Sequence, residues 1–156
     1  MKRLLQIIGL LSILALMGCG EEYYSTPQKT LARYINSRMM MNREEYESCL
    51  NAFRKEDREW FEKHYMKLCV ALYAQDCPGE SLSTEVTVWT DVFEPYGPNK
   101  LNIESAQVDE KAGKAVLIVD GKQIAFVKNR GNWKIEGFFG ARERLEEKYP
   151  QVRDGG

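Results

Sequence analysis

The apolar residues of this chain change their period once, near residue 80, and that change limits the fold more than any other feature of the sequence. Before it they recur three and four apart: Leu31, Tyr34 and Ile35, then Tyr46, Cys49, Leu50 and Phe53, then Phe61, Tyr65, Leu68 and Leu72. That is the spacing of helices that each bury one face. Ser25-Thr26-Pro27 supplies a capping hydroxyl and a first-turn proline. Asn42 supplies a second cap, with Glu44 and Glu45 in the first turn where negative charge is favoured. A third helix is expected from about Asp57, and "DCPGES" closes the helical half. Beyond it Val86, Val88, Thr90 and Val92 alternate with Thr87, Trp89, Asp91 and Phe93, which predicts a two-sided strand over residues 86–93. Residues 101–108 predict another. "AVLIV" and "KQIAFVK" flank Asp120-Gly121, a pair that tolerates the positive φ of a type I′ hairpin. "NRGN" leads to a last strand, "WKIEGFF", and "ARERLEEKY" to a short helix. Helices first and strands second predict an α+β fold, with N-terminal helices packed on one face of a curved antiparallel meander sheet.

The N-terminus has a different character. Lys2 and Arg3 precede residues 4–17, which are almost wholly apolar. Fourteen helical residues span about 21 Å, short of the roughly 30 Å of a hydrocarbon core, so a signal-peptide core is the better reading than a permanent span. The stretch ends at Leu16-Met17-Gly18-Cys19. That tetrapeptide resembles the bacterial lipobox, with Leu at −3, a small residue at −1 and Cys at +1; Met17 at −2 is a mild departure. The resemblance implies cleavage before Cys19, a diacylglycerol thioether on its sulfur, and membrane attachment through acyl chains. Gly20 in place of aspartate favours the outer membrane, facing the periplasm, under the enteric sorting rule. Two or three chains, at about 0.8 kcal/mol per buried methylene, hold far more firmly than one. The organisation expected is a leader over 1–18, a lipidated Cys19 with a short linker to 25, one α+β domain over 26–149, and a frayed tail over 150–156. So short a linker keeps the domain close to the bilayer; Tyr23 and Tyr24 within it have no explanation at this level.

Charge narrows the partners. The chain carries −1, and loses Lys2 and Arg3 but no acid with its leader, which leaves −3. It lacks the basic excess that phosphate contacts require, so nucleic acid is not expected as a partner. Three cysteines remain in a compartment that permits disulfides. Cys69, near a helix end, and Cys77, in the turn that follows, are the candidate pair; Cys49 lies on an apolar helix stripe, as a small hydrophobe does. With one histidine and no CxxC pair, neither a metal site nor a cofactor is expected.

Two stretches carry a wider resemblance. "STPQKTLARYINSRM" resembles the first helix of the nuclear-transport-factor-2-like superfamily, and "KNRGNWKIEGF" its closing hairpin, with Gly131 and Trp133-Lys134-Ile135 the best match. The resemblance implies a cone-shaped domain over roughly residues 25–140. It also implies a choice of roles, from ketosteroid-isomerase-like and dehydratase-like enzymes to non-catalytic binding or assembly modules; such a fold does not establish a function.

An enzyme of that kind needs an aspartate base inside an apolar cone and tyrosine donors for a developing oxyanion. Asp91 is the candidate base and Tyr34, Tyr46 and Tyr65 the candidate donors. The plainer readings are a solvated sheet edge for Asp91 and packed helix stripes for the tyrosines. His64 reads as a partly exposed structural residue rather than a base. Trp89, Phe126 and Trp133 are candidates to line a pocket, with packing against a helix as the alternative. The expectation is a lipid-anchored, non-catalytic module that takes a small apolar ligand or another envelope protein, or pairs with its own copy through the sheet.

Overall fold

The computed structural model describes residues 22–38, 42–73 and 82–153. The leader, Cys19 and Gly20 therefore lie outside the described residues, as do the three methionines at 39–41, Cys77 and the last three positions. Five helices are described: α1 (Pro27–Ser37), α2 (Arg43–Asn51), α3 (Lys55–Tyr73), α4 (Leu82–Val92) and α5 (Ala141–Lys148). Four strands, β1 (Ile103–Asp109), β2 (Lys114–Val119), β3 (Lys122–Asn129) and β4 (Asn132–Ile135), pair antiparallel in chain order as an open meander. The α+β class is as predicted, but the helical half runs on to Val92 and the change to strands comes at Ile103 rather than near residue 80.

Local chemistry sets the ends of these elements. Thr26 caps α1 by accepting from the Lys29 amide at 3.1 Å, with Pro27 in the first turn. Asn42 caps α2 by accepting from Glu45 at 2.9 Å. Asp120 and Gly121 both have positive φ, 51° and 70°, as a type I′ turn requires. Arg130 and Gly131, at 49° and 86°, repeat that geometry between β3 and β4.

The predicted strand over residues 86–93 is instead part of α4. Val86, Val88, Trp89, Val92 and Phe93 are buried while Thr87, Thr90 and Asp91 are exposed. The exposed positions fall three and four apart, a helical face; the run of β-branched residues had suggested a period of two. Propensity is a weak prior that packing overrides. As a helix the segment brings Trp89 and Phe93 into an aromatic interior, with ring centroids 4.6 Å apart.

Ala115, Leu117, Val119, Ile124, Phe126, Trp133 and Ile135 form the buried face of the sheet, alternating with half-buried Val116, Ile118, Ala125 and Val127 on the other. β1 is an edge: six of its seven residues are exposed. At the opposite edge Phe53 makes an isolated parallel bridge to Ile135, with Ile135 N–H donating to Ala52 O at 2.8 Å and Arg54 N–H to Ile135 O at 3.0 Å. Thr30 ties α1 to the sheet through its hydroxyl, which donates to Trp133 O at 2.9 Å.

The segment after β4 is the least ordinary backbone in the molecule. Gly137, Phe138, Phe139 and Gly140 all have positive φ, at 64°, 49°, 61° and 77°, one turn wound the left-handed way. Bulky residues there cost roughly 1–2 kcal/mol each. The fold holds them by burying both rings, Phe138 stacking on Phe93 at 4.3 Å and Phe139 packing edge-on to Tyr34 at 5.0 Å. The described parts of the expected linker and tail are also packed. The turn Glu22–Tyr24 lies against α1 and β4, and the turn Pro150–Val152 seats a fully buried Val152.

Candidate functional site

Three helices enclose a groove of about 370 Å³. α2 contributes Arg43, Tyr46, Glu47 and Leu50, α3 contributes Phe61, Glu62 and Tyr65, and α4 contributes Glu85 from its first turn. Tyr46 and Leu50 are four apart, as are Phe61 and Tyr65, so each helix lays neighbouring side chains along one wall. Tyr46, Phe61 and Tyr65 are buried and make the floor, where the Phe61 and Tyr65 rings meet edge-to-face at 6.0 Å and 80°. Glu47 and Glu62 stand exposed at the rim. Arg43 and Glu85 form the ion pair across it, at 3.6 Å.

The Tyr46 hydroxyl is buried and has no hydrogen-bond partner. Burial raises its pKa well above the ordinary tyrosine range, and the Glu85 carboxylate adds to the rise. A buried hydroxyl without a partner costs about 1–3 kcal/mol. It is the feature of this groove that packing alone does not explain.

Two other cavities have more polar linings or no buried floor. One of about 300 Å³ lies beside the left-handed turn, lined by Gln123, Glu136, Phe139, Glu143 and Arg144 among others. Another, of about 450 Å³, lies between Arg54, Glu56, Lys128 and Lys134. The first sets only Phe139 and Ala125 among polar and charged chains, and the second lacks any fully buried side chain.

Of the residues singled out in the sequence, Tyr65 and Tyr46 meet in this groove. Tyr34 does not. It is fully buried against Phe53 and Phe139, its pKa raised by desolvation, and its hydroxyl too lacks a partner. Asp91, expected on a strand with Trp89 and Phe93, is instead exposed on α4 and accepts the Tyr73 hydroxyl at 2.6 Å. That contact and burial push Tyr73 up to about 12, burial being the larger cause. Trp89, Phe126 and Trp133 are core residues at 2%, 1% and 0% exposure, and none lines the three cavities above. His64 is buried rather than partly exposed, and its Nδ1 lies 2.8 Å from Trp60 O, fixing the ring along its own helix. Cys69 is disulfide-bonded; Cys77 lies outside the described residues. Cys49 is a buried free thiol whose pKa burial raises, an unreactive state. Among the described residues no group of histidine, cysteine and carboxylate side chains is placed to hold a metal ion.

Sequence reasoning did not single out Asp57 as a buried charge. Its carboxylate is fully buried, accepting from Arg54 Nε at 3.0 Å, Arg54 Nη2 at 2.9 Å and the Gly137 amide at 2.8 Å. Arg142 Nη1 approaches it at 3.4 Å. The Arg54-Asp57 spacing was the one local signal. Tyr24, unexplained in the sequence, has its ring 3.8 Å beneath the Lys134 ammonium, which donates to Asn51 O at 2.5 Å. Tyr23 lies under Arg33 at 5.0 Å.

No family model matches the sequence, and no curated protein or solved structure is significantly similar to it.

Proposed function

We propose that this chain is a lipid-anchored protein of the bacterial cell envelope, tethered through Cys19, whose α+β domain is a non-catalytic binding module. The lipobox-like "LMGC" at the end of a short apolar leader supports the tether. Tyr23 and Tyr24 pack onto the domain under Arg33 and Lys134, and the described residues start at Glu22, three residues past Cys19. At roughly 3.3–3.6 Å per extended residue that is a reach of about 10 Å, so a tether at Cys19 seats the domain on the bilayer surface. The outer membrane, facing the periplasm, is the location that Gly20 favours. The resemblance of "STPQKTLARYINSRM" and "KNRGNWKIEGF" to the first helix and closing hairpin of the nuclear-transport-factor-2-like superfamily supports a cone of that kind.

The single observation that carries the binding role is the Tyr46 hydroxyl, buried at the floor of a helical groove with no partner of its own. An isomerase-like reading needs a free interior carboxylate near a tyrosine. Asp91 is exposed, Asp57 is already saturated by Arg54 and the Gly137 amide, and the half-buried Glu94 near Tyr34 has the Arg38 guanidinium beside it to hold it charged. A second reading rests on the sheet, where Val116, Ile118, Ala125 and Val127 make an apolar, half-buried stripe on the face opposite the core: a second copy docks there. Sedimentation of a Cys19→Ser protein tests it, and a strict monomer at high concentration removes it.

Fractionation of bacteria expressing the whole chain tests the tether. The natural protein is expected in the membrane fraction and released by detergent but not by high salt. Cys19→Ser, which cannot form the thioether, is expected to keep its leader uncleaved.

A further inference from the structure

The charge and aromatic content of the α2–α3–α4 groove name the chemistry of what it binds. Three aromatic rings, Tyr46, Phe61 and Tyr65, form its floor, each buried to nine-tenths or more. Three carboxylates and one arginine line it: Glu47, Glu62, Glu85 and Arg43. Arg43 is engaged with Glu85 at 3.6 Å, which leaves Glu47 and Glu62 to set the sign of the potential. Aromatic faces carry negative charge density and attract a cation within about 6 Å of the ring, most strongly where water is excluded.

Among the described residues an anion would meet two unpaired carboxylates and one arginine, already paired. A neutral ligand would cover the rim and desolvate those carboxylates with nothing in return. The carboxylates do not converge as a metal's ligand set among the described residues. What remains is a cation with an apolar body. We propose that this groove binds small organic ammonium ions, with the alkyl or aryl body on the Phe61 and Tyr65 rings, the ammonium facing Glu47 and Glu62, and the Tyr46 hydroxyl as a hydrogen-bond partner inside. This rests on the groove being the binding site of the module. Its volume, about 370 Å³, lies at the small end of the range for small-molecule sites.

The test uses the full-length protein in a neutral detergent and three probes of one body and three charges: 2-phenylethylammonium, 2-phenylethanol and phenylacetate. Binding is measured by titration calorimetry and by ligand-observed magnetic resonance. The ammonium is expected to bind at least tenfold more tightly than the alcohol, and phenylacetate more weakly than either. The double variant Glu47→Gln/Glu62→Gln, changed only at exposed positions, is expected to bring ammonium and alcohol to within about twofold. Displacement of the ammonium by phosphatidylethanolamine added to the same detergent micelles assigns the natural cation to a lipid headgroup; failure to displace it assigns a free amine.

Equal binding of ammonium and alcohol overturns the cation assignment and leaves the groove as an apolar site. A preference that survives the double variant also overturns it, because the selectivity then arises elsewhere. No binding of any probe at millimolar concentration overturns both the cation assignment and the groove as a site.

Discussion

The Arg54 guanidinium grips the Asp57 carboxylate with two hydrogen bonds, Nε to Oδ2 at 3.0 Å and Nη2 to Oδ1 at 2.9 Å, and so holds a fully buried charge beside the left-handed turn. Its remaining arm reaches Glu136 Oε1 at 2.7 Å. The same carboxylate accepts the Gly137 amide at 2.8 Å, which fixes the entry to four residues of positive φ. The Arg54–Glu136 contact and the Gly137 amide on Asp57, not the Arg54–Asp57 pair itself, join the start of α3 to the end of the sheet.

Removing Asp57 leaves the Gly137 amide without its acceptor and Arg54 without two bonds, a cost of about 1–3 kcal/mol, since Arg54 keeps Glu136 and part of its side chain reaches water. Asp57→Ala is expected to lose stability in that range, measured as a lower urea midpoint at unchanged slope. A loss below 1 kcal/mol would mean that the Phe138 and Phe139 rings hold the turn by packing alone.

Gly97 meets Phe139 where nothing larger fits. A methyl group at Gly97 would lie 2.9 Å from Phe139 Cε2 and 3.1 Å from the Tyr34 hydroxyl. Neither ring can withdraw from the core. Gly97→Ala is expected to cost about 1–3 kcal/mol as overpacking, read from thermal unfolding.

At Tyr46 stability and binding should part. Its hydroxyl is buried without a partner. Tyr46→Phe removes that cost and is expected to raise stability by roughly 1 kcal/mol, while ammonium binding weakens several-fold. A variant both less stable and equally competent would show that the hydroxyl is satisfied in the free protein.

Lys134 gives a pH signature. Burial and, to a lesser degree, the nearby Arg58 lower its pKa from 10.5 to about 8; the Asn51 carbonyl and Tyr24 ring favour the charged form and limit the fall. Between those two pH values the unfolded chain holds a proton that the folded chain has lost. Stability then rises with pH across that window, and below pH 8 the full penalty stands. The stability of the natural protein relative to Lys134→Met is expected to climb between pH 8 and pH 10.5. A flat difference would show that the Asn51 and Tyr24 contacts offset the burial of the ammonium.

What was legible in the sequence was what neighbours decide. Thr26, Asn42 and the Asp120-Gly121 turn act within four residues of themselves, and each is found where it was read. α4 was misread because Val86, Val88, Trp89, Val92 and Phe93 satisfy either period; the face the other helices cover, not their own propensity, decides between them. Asp57 and the Gly137–Gly140 turn depend on partners 80 residues apart, beyond any local rule. Tyr46 and Tyr65 were named as donors from helix stripes, but the groove between them needs Glu85 from an element that was read as a strand.

The claim on which the rest depends is attachment at Cys19. Intact-mass and peptide mass spectrometry of the mature protein, purified from membranes, measures it directly. The expected product is a chain that begins at residue 19 with a diacylglycerol thioether on its sulfur. A chain that retains its first eighteen residues, or one cleaved elsewhere with residue 19 unmodified, would contradict it.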